Sequence, residues 1–216
     1  MKEVPNALMF PGEPFACQAG GTALTTAITI PRARWPMLHG KKVKLRPIEQ
    51  RDYIFLFQWF HDRDLYLATL RDIGTLPTIQ EILKWLHSLD PGNDLSLAWM
   101  IEAEGKAVGF AMLENVNWRF RKAGPSAYYI APAERHKGYG RDAEQTVLRY
   151  AFDHLNLFRV WTEVTQCRAQ QLLPAVYHKL EGRLRAHCMV NGFPVDCDIW
   201  GTLASDPEWQ EYWETP

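Results

Sequence analysis

Residues 128–141, YYIAPAERHKGYGR, change from an aromatic, β-prone beginning to a polar end that contains two glycines. The pattern predicts a strand over Ser126–Ala131, a loop over Pro132–Gly140 and a helix over Arg141–His154. The two glycines allow the main chain to turn sharply, and they keep side chains away from an approaching ligand. We therefore expect a strand, a tight loop and a helix in immediate succession.

The start of this predicted helix has the properties of an anion site. The N–H groups of a first helical turn lack intrahelical partners, and the helix dipole favours negative charge beside them. Neither common nucleotide motif is present, because no Lys-Ser/Thr pair follows the second glycine and Ala143 takes the last place of G-x-G-x-x-G. A pyrophosphate fits such a loop, and ATP is one candidate ligand. Three basic residues add positive charge: Arg135, Lys137 and Arg141.

Strand and helix signals alternate on both sides of this stretch, which predicts a mixed α/β or α+β fold with a mostly antiparallel sheet flanked by helices. Before the stretch we expect a strand at Val43–Arg46, a helix with Tyr53, Leu56, Phe57 and Phe60 on one face, a helix opened by a capping box at Thr78–Glu81, and a hairpin of Leu97–Ala103 and Ala107–Asn115. After it we expect a strand at Phe158–Val164, a helix at Arg168–Leu180, and a closing hairpin around Asn191–Pro194 in which Leu184, Ala186 and Cys188 share one face.

A length of 216 residues suits one domain with an appendage at each end. Residues 1–41 are rich in Gly, Pro and Ala, and they predict an N-terminal extension that is an extra strand, a lid or a disordered arm. The main domain is expected over residues 42–204. Residues 205–216 form an acidic tail whose aromatic residues favour docking as a short helix.

Composition excludes several classes of function. The net charge is −1 with both signs interspersed, so nucleic acid is not an expected partner. No apolar run approaches the roughly 20 residues that cross a bilayer, and charges and prolines interrupt the first fifteen residues, so we expect no membrane association and a cytoplasmic location. The four cysteines lack metal-ligand spacing, and no metal is expected. Cys188 and Cys197 are expected as thiols, with a disulfide as the alternative.

The segment Arg135–Gly140, RHKGYG, resembles the R/Q-x-x-G-x-G/A signature of the GCN5-related N-acetyltransferases (GNAT). The flanking stretches VKLRPIEQRD and EGRLRAHCMVNGFPVDCDIWG are similar to the ribosomal-protein and polyamine branch of that family, so the resemblance spans roughly Val43 to Leu203. It implies a GNAT-like fold and transfer of an acetyl group from acetyl-CoA, the cosubstrate, to a primary amine. The acceptor stays open between a protein N-terminus, a polyamine, an amino sugar and an antibiotic, and a homodimer is compatible with the sequence.

The resemblance also implies roles for individual residues. Tyr177 would be the general acid that protonates the departing thiolate, and Gln166 would stand where the family usually has an asparagine that contacts pantetheine. The main chain of the strand would pair with pantetheine, and the loop amides would hold the pyrophosphate. The strand residues are Tyr129, Ile130 and Ala131, and the loop residues are Arg135, His136, Lys137, Gly138, Tyr139, Gly140 and Arg141.

On the acceptor side, Glu114 at the end of a strand is the candidate base that deprotonates the amine. A solvated carboxylate and a packed aromatic are the structural alternatives for Glu114 and Tyr177, and both His136 and His178 are expected at the surface. The departure of residues 174–182 from the family pattern supports a second hypothesis, a non-catalytic acyl-CoA-binding module. Acidic and aromatic residues that could line an acceptor pocket are Asp62, Asp64, Asp72, Trp59, Trp85 and Trp118.

Overall fold

The computed structural model describes residues 37–62, 78, 80–82, 84, 96–165, 178–190 and 192–214, all within the unit Arg32–Pro216. These residues form nine strands and three α-helices with defined bounds, and residues 80–82 and 84 are also helical. The strands are β1 (Leu38–His39), β2 (Lys44–Pro47), β3 (Leu97–Ala103), β4 (Lys106–Leu113), β5 (Lys122–Ala123), β6 (Ser126–Ile130), β7 (Arg159–Thr165), β8 (Lys179–Val190) and β9 (Phe193–Leu203). The α-helices are α1 (Tyr53–Phe60), α2 (Tyr139–Arg149) and α3 (Glu208–Glu214).

The strands form two sheets, and nearly all their pairings are antiparallel. The first sheet has the order β1-β2-β3-β4-β6, and the second has the order β5-β7-β9-β8, in which only β5 and β7 are parallel. The predicted hairpin of β3 and β4 is confirmed, with Glu104 and Gly105 at its turn in left-handed backbone. The mixed, mostly antiparallel architecture expected from the sequence is therefore correct.

Two predicted helix boundaries are wrong. Helix α2 begins at Tyr139 rather than Arg141, because Gly138 adopts φ 85° and caps it, so Gly140 lies inside the first turn. The helix expected over residues 168–180 does not include its last two residues, since Lys179 and Leu180 pair with Gly201 and Trp200 as the start of β8. Residues 168–177 of that prediction lie outside the described residues.

Apolar side chains are buried on both faces of the first sheet. One core contains Trp99, Leu113 and Val147 and is covered by α2. The other contains Leu56 of α1 and Phe110 of β4. The C-terminal tail docks as the short helix α3, as predicted, because Trp209 is only 4% exposed and its ring centroid lies 5.1 Å from that of Phe152. No helix in the described part of the chain is long and apolar enough to cross a bilayer.

The closing hairpin of β8 and β9 is confirmed, but a β-bulge interrupts the predicted alternation. Leu184 pairs with Cys197, whereas Cys188 pairs with Val195, so three residues of β8 lie opposite one residue of β9. Ala186 sits within this irregularity with φ 48°. Cys188 and Cys197 are not opposite one another, and both are free thiols, as expected.

The predicted capping box is also present. The Thr78 N–H donates to Glu81 Oε2 over 2.7 Å, and the Glu81 N–H donates to Thr78 Oγ1 over 3.3 Å. Ile82, one residue further on, is buried against the α1 core. This confirms the sequence signal for a helix start at that point.

Candidate active site

The gap between β6 and β7 lies where the two sheets meet. The strands belong to different sheets, and a side-chain bond joins them at the start of β6, where Thr162 Oγ1 donates to the Ser126 carbonyl over 2.8 Å. Among the described strands, β6 pairs with β4 alone. Its other main-chain edge therefore has hydrogen-bonding groups available for an extended ligand.

Strand pairing decides which of the predicted strand residues face that gap. The Ala131 N–H donates to the Val108 carbonyl over 2.9 Å, and Tyr129 lies opposite Phe110 on β4. Main-chain groups of successive strand residues point to opposite sides, so Ile130 directs its N–H away from β4. Among the three predicted residues, Ile130 presents the donor to the gap.

The loop after β6 contains two residues in left-handed backbone. His136 and Gly138 adopt left-handed conformations with φ 66° and 85°. A left-handed residue beside a right-handed one makes successive N–H groups converge on one side, as in known anion-binding concavities. The first helical bond of α2 runs from the Asp142 N–H to the Gly138 carbonyl over 3.1 Å, so the preceding amides have no partner within the helix.

Arg135 points towards the C-terminal end of α1 rather than outwards. Its Nε donates to the Ile130 carbonyl over 3.0 Å, and its guanidinium lies 3.6 Å from the Asp62 carboxylate just after α1. The Tyr129 hydroxyl donates to the same carboxylate over 2.7 Å, and burial raises the pKa of this phenol well above its ordinary value. Asp62 thus links the end of α1 to β6 and to the loop. Its attraction of a cationic amine stays a prediction.

The other predicted loop side chains also contact the protein. Lys137 Nζ lies 2.6 Å from Glu134 Oε2, and the Arg141 guanidinium lies 5.5 Å from the ring centroid of Tyr212. The Tyr139 hydroxyl donates to Glu104 Oε1 over 3.1 Å, which ties the helix start to the β3–β4 turn. These three side chains are therefore engaged with neighbouring residues of the protein.

Two residues at this site were not anticipated from the sequence. The Asp142 carboxylate is fully buried and accepts hydrogen bonds from the segment before β2, and Lys42 of that segment reaches the loop with its Nζ 3.2 Å from the Lys137 carbonyl. The sequence signal for Lys42 was its place in a basic cluster at residues 41–46, which we interpreted as a solvated strand face. The contact joins segments that lie 95 residues apart, so local patterns do not reveal it.

A buried polar network lies beneath β6. Glu144 Oε1 accepts hydrogen bonds from the Tyr128 hydroxyl and from His178 Nε2, the latter over 2.6 Å, and Thr202 Oγ1 lies 2.8 Å from His178 Nδ1. The expectation of a surface histidine is wrong for His178, which is 3% exposed. Burial, followed by the nearby Glu144 charge, raises the pKa of the Tyr128 phenol well above its ordinary value.

Glu114 directly follows β4, at the end of β6 opposite the loop. Its main chain bonds Gly124 over 2.7 Å and Pro125 over 3.4 Å. The four steps from Ser126 to Ile130 correspond to about 13 Å at about 3.3 Å per residue. An arm that runs from the loop along the gap therefore carries its far end towards Glu114.

The structure describes two of the remaining predicted residues, Trp59 and Trp118, and leaves the others undescribed. Trp59 is buried in the α1 core, whereas Trp118 is 43% exposed. The two tryptophans therefore do not line one enclosed pocket. Tyr177 and Gln166 lie outside the described residues, as do Asp64, Asp72 and Trp85. Their predicted roles remain predictions.

Comparison with known proteins connects this geometry to a family. The family model described as Acetyltransferase (GNAT) domain matches residues 42–167. No curated protein sequence gives a match.

Solved structures with similar folds include two enzymes with named sources. A spermidine N-acetyltransferase from Vibrio cholerae in complex with CoA and spermine has a TM-score of 0.69 and 22% identity, over 76% of this chain and 96% of that one. A GCN5-related N-acetyltransferase from Brucella melitensis has a TM-score of 0.67 and 22% identity, over 85% of this chain and 86% of that one. At these identities the similarity establishes the fold.

Proposed function

The chain belongs to the GNAT acetyltransferase family, and on that premise we propose that it transfers the acetyl group of acetyl-CoA to a primary amine. The observation that carries the proposal is that β6 pairs with β4 alone among the described strands, and that the left-handed residues His136 and Gly138 and the start of α2 follow it in the chain. A half-paired strand suits an amide-bearing arm, and converging amides suit a diphosphate. Acetyl-CoA carries both groups and supplies the activated acetyl thioester.

Binding falls to the main chain of two adjacent segments. The Ile130 N–H faces the gap and is positioned to donate to the arm or to the thioester carbonyl, where it would stabilise developing negative charge. Tyr129 and Ala131 hold the strand to β4, which fixes the orientation of that donor. The amides from Arg135 to Arg141 would hold the diphosphate.

Proton transfer would fall to residues at the other end of the gap. Glu114 would accept the proton of the incoming amine, since it lies at the end of β6 to which an arm from the loop extends. Tyr177 would donate a proton to the departing thiolate, as in the family pattern. Much of the acceleration would come from holding amine and thioester together.

The acceptor remains one of four classes: a protein N-terminus, a polyamine, an amino sugar or an antibiotic. Spermidine is a reasonable first compound, because the Vibrio cholerae protein of similar fold is a spermidine N-acetyltransferase. It is a lead for the assay rather than an assignment.

The activity is tested by incubating the protein with acetyl-CoA and one amine of each class while release of free thiol is followed. Thiol release that depends on both protein and one amine class supports the proposal and names the class. Calorimetric binding of CoA without release on any amine would favour the non-catalytic module instead. Absence of CoA binding would refute the proposal.

Tyr177→Phe tests the general acid in the same assay. We expect a lower kcat with little change in KM for acetyl-CoA, because the phenol acts on the leaving group only in the transition state. A kcat equal to that of the unmodified protein would remove Tyr177 from the mechanism.

A further inference from the structure

The turn between β1 and β2 wraps around one buried carboxylate. The main-chain N–H groups of Lys41, Lys42 and Val43 donate to Asp142 over 2.9, 2.5 and 2.8 Å. The Tyr212 hydroxyl of α3 donates to the same carboxylate over 2.6 Å. We call these five residues the Asp142 clasp.

Gly40 allows the close approach that the Asp142 clasp requires. A Cβ at this position would lie 2.5 Å from Asp142 Oδ2 and 2.6 Å from Thr146 Oγ1, which no side chain can occupy without displacement. Three successive amides on one carboxylate leave the turn little freedom, since hydrogen bonds to a charged acceptor are short and strong. The main chain of Lys42 is therefore held in one place beside the start of α2.

From that place the Lys42 side chain supports the back of the loop. Its Nζ donates to the Lys137 carbonyl over 3.2 Å and lies 3.0 Å from the position of a Cβ on Gly138. In a planar trans peptide the carbonyl and the following N–H point in opposite directions. The Gly138 N–H consequently points away from Lys42.

Without the contact from Lys42, the plane of the Lys137–Gly138 peptide could flip easily. Gly138 has φ 85° and ψ 4°, and glycine populates positive and negative φ about equally well. Reversal of this peptide would replace an N–H donor on the anion side with a carbonyl oxygen. A diphosphate would then meet a repulsive acceptor at the centre of the loop.

We propose that Lys42 is a positioning residue that keeps the Gly138 amide directed at the cofactor diphosphate. The inference rests on the proposed function, because it assigns the loop to acetyl-CoA. Lys42 acts through the Lys137 carbonyl and does not itself touch the phosphates. The Asp142 clasp holds it there, so a segment 95 residues earlier in the chain sets the shape of the loop.

The test compares Lys42→Met with Lys41→Met in the full-length protein. Lys41 is the matched control, since it is an exposed lysine of the same turn whose Nζ contacts the Tyr212 carbonyl instead. We expect Lys42→Met to raise the calorimetric Kd for CoA and the KM for acetyl-CoA about tenfold, the order expected for one charge-assisted hydrogen bond. The kcat should stay unchanged, Lys41→Met should stay within about twofold, and Lys42→Arg should restore binding in part.

Two results would overturn the inference while leaving the proposed function intact. One is a Kd for Lys42→Met equal to that of the unmodified protein. The other is equal weakening by both methionine variants that disappears in high salt, since this would indicate a general attraction between charges.

A measurement on the free protein separates this inference from the proposed function. The amide resonance of Gly138 should shift in Lys42→Met and not in Lys41→Met, whether or not CoA binds. An unchanged resonance overturns the inference. A shifted resonance in a protein that does not bind CoA would confirm the contact between Lys42 and the loop, and would refute both the proposed function and the role of Lys42 in cofactor binding.

Discussion

Replacement of His178 by leucine tests the buried network beneath β6. Glu144 and His178 have side-chain exposures of 0%, and their Oε1 and Nε2 atoms are 2.6 Å apart. Leucine approximates the volume of histidine, so the variant removes the hydrogen-bonding partner without opening a large cavity. Glu144 would keep only the Tyr128 hydroxyl as a donor, because its Oε2 accepts no hydrogen bond within the described residues.

The expected loss in the free energy of unfolding arises because Glu144 would stay buried without its histidine partner. Leaving a buried polar group without its hydrogen-bond partner typically costs about 1–3 kcal/mol, and more if the group is charged, whereas replacing both partners by apolar groups is often nearly neutral. The double variant Glu144→Leu/His178→Leu should therefore be more stable than His178→Leu alone. Thr202→Val, which removes one neutral hydrogen bond to His178, should cost only about 0.5–1.5 kcal/mol.

Equilibrium unfolding in urea at neutral pH measures these differences. The four proteins are compared at equal m-values, so that shifts of the midpoint report changes in the free energy of unfolding. A loss below about 1 kcal/mol for His178→Leu would contradict the reasoning, since it would mean that the substitution leaves no buried polar group unsatisfied. A double variant less stable than the single one would contradict the proposed cause.

Three further predictions concern the loop, the acceptor side and the closing hairpin. Gly138→Val should raise the calorimetric Kd for CoA at least tenfold, because left-handed backbone costs a branched residue about 1–2 kcal/mol. The circular dichroism spectrum should stay unchanged. An unchanged Kd would refute the loop assignment. Glu114→Gln should lower kcat by about 10²–10⁴-fold with the affinity for CoA unchanged. The control is Glu214→Gln, which alters an exposed carboxyl of α3 and should leave kcat unchanged. Equal kcat values for the two variants would exclude Glu114 as the base. Burial raises the pKa of the Cys197 thiol to about 12 from 9.0, so folding favours the neutral thiol: this contribution to stability is fully present below pH 9 and is lost as the pH rises towards 12. Cys197→Ala should show a shallower loss of stability than the unmodified protein across that pH range in urea unfolding, and an equally steep loss would contradict it.

The loop was predictable because its signals are local. The strand from Ser126, the turn and the following helix each depend on residues within a few positions of one another, and all three are present in the structure. Only the boundary was wrong, since glycine usually ends helices and Gly140 is nevertheless helical. The main chain already turns at Gly138, which adopts the left-handed conformation and caps the helix, so Gly140 can lie in the first turn of α2.

Contacts between distant segments were not predictable. A basic cluster near Val43 looks like a solvated face, and an acid in the first turn of a helix looks like a partner for the helix dipole. Both local interpretations are reasonable, yet Asp142 binds amides about 100 residues away. His178 likewise lies in a polar stretch but is buried, because Glu144 and Thr202 supply partners from other elements.

By itself, the amino-acid sequence determined most of the strands, the succession of strand, loop and helix at residues 126–149, and the family to which the chain is similar. These depend on hydrophobic periodicity, glycine and helix starts, which act over a few residues. Tertiary structure alone decided that Ile130 faces the gap, that Arg135 turns back to Asp62, and that the Lys42 side chain lies behind the loop. The reason is physical: strand register and the burial of charge are settled by partners that meet only when the chain has folded.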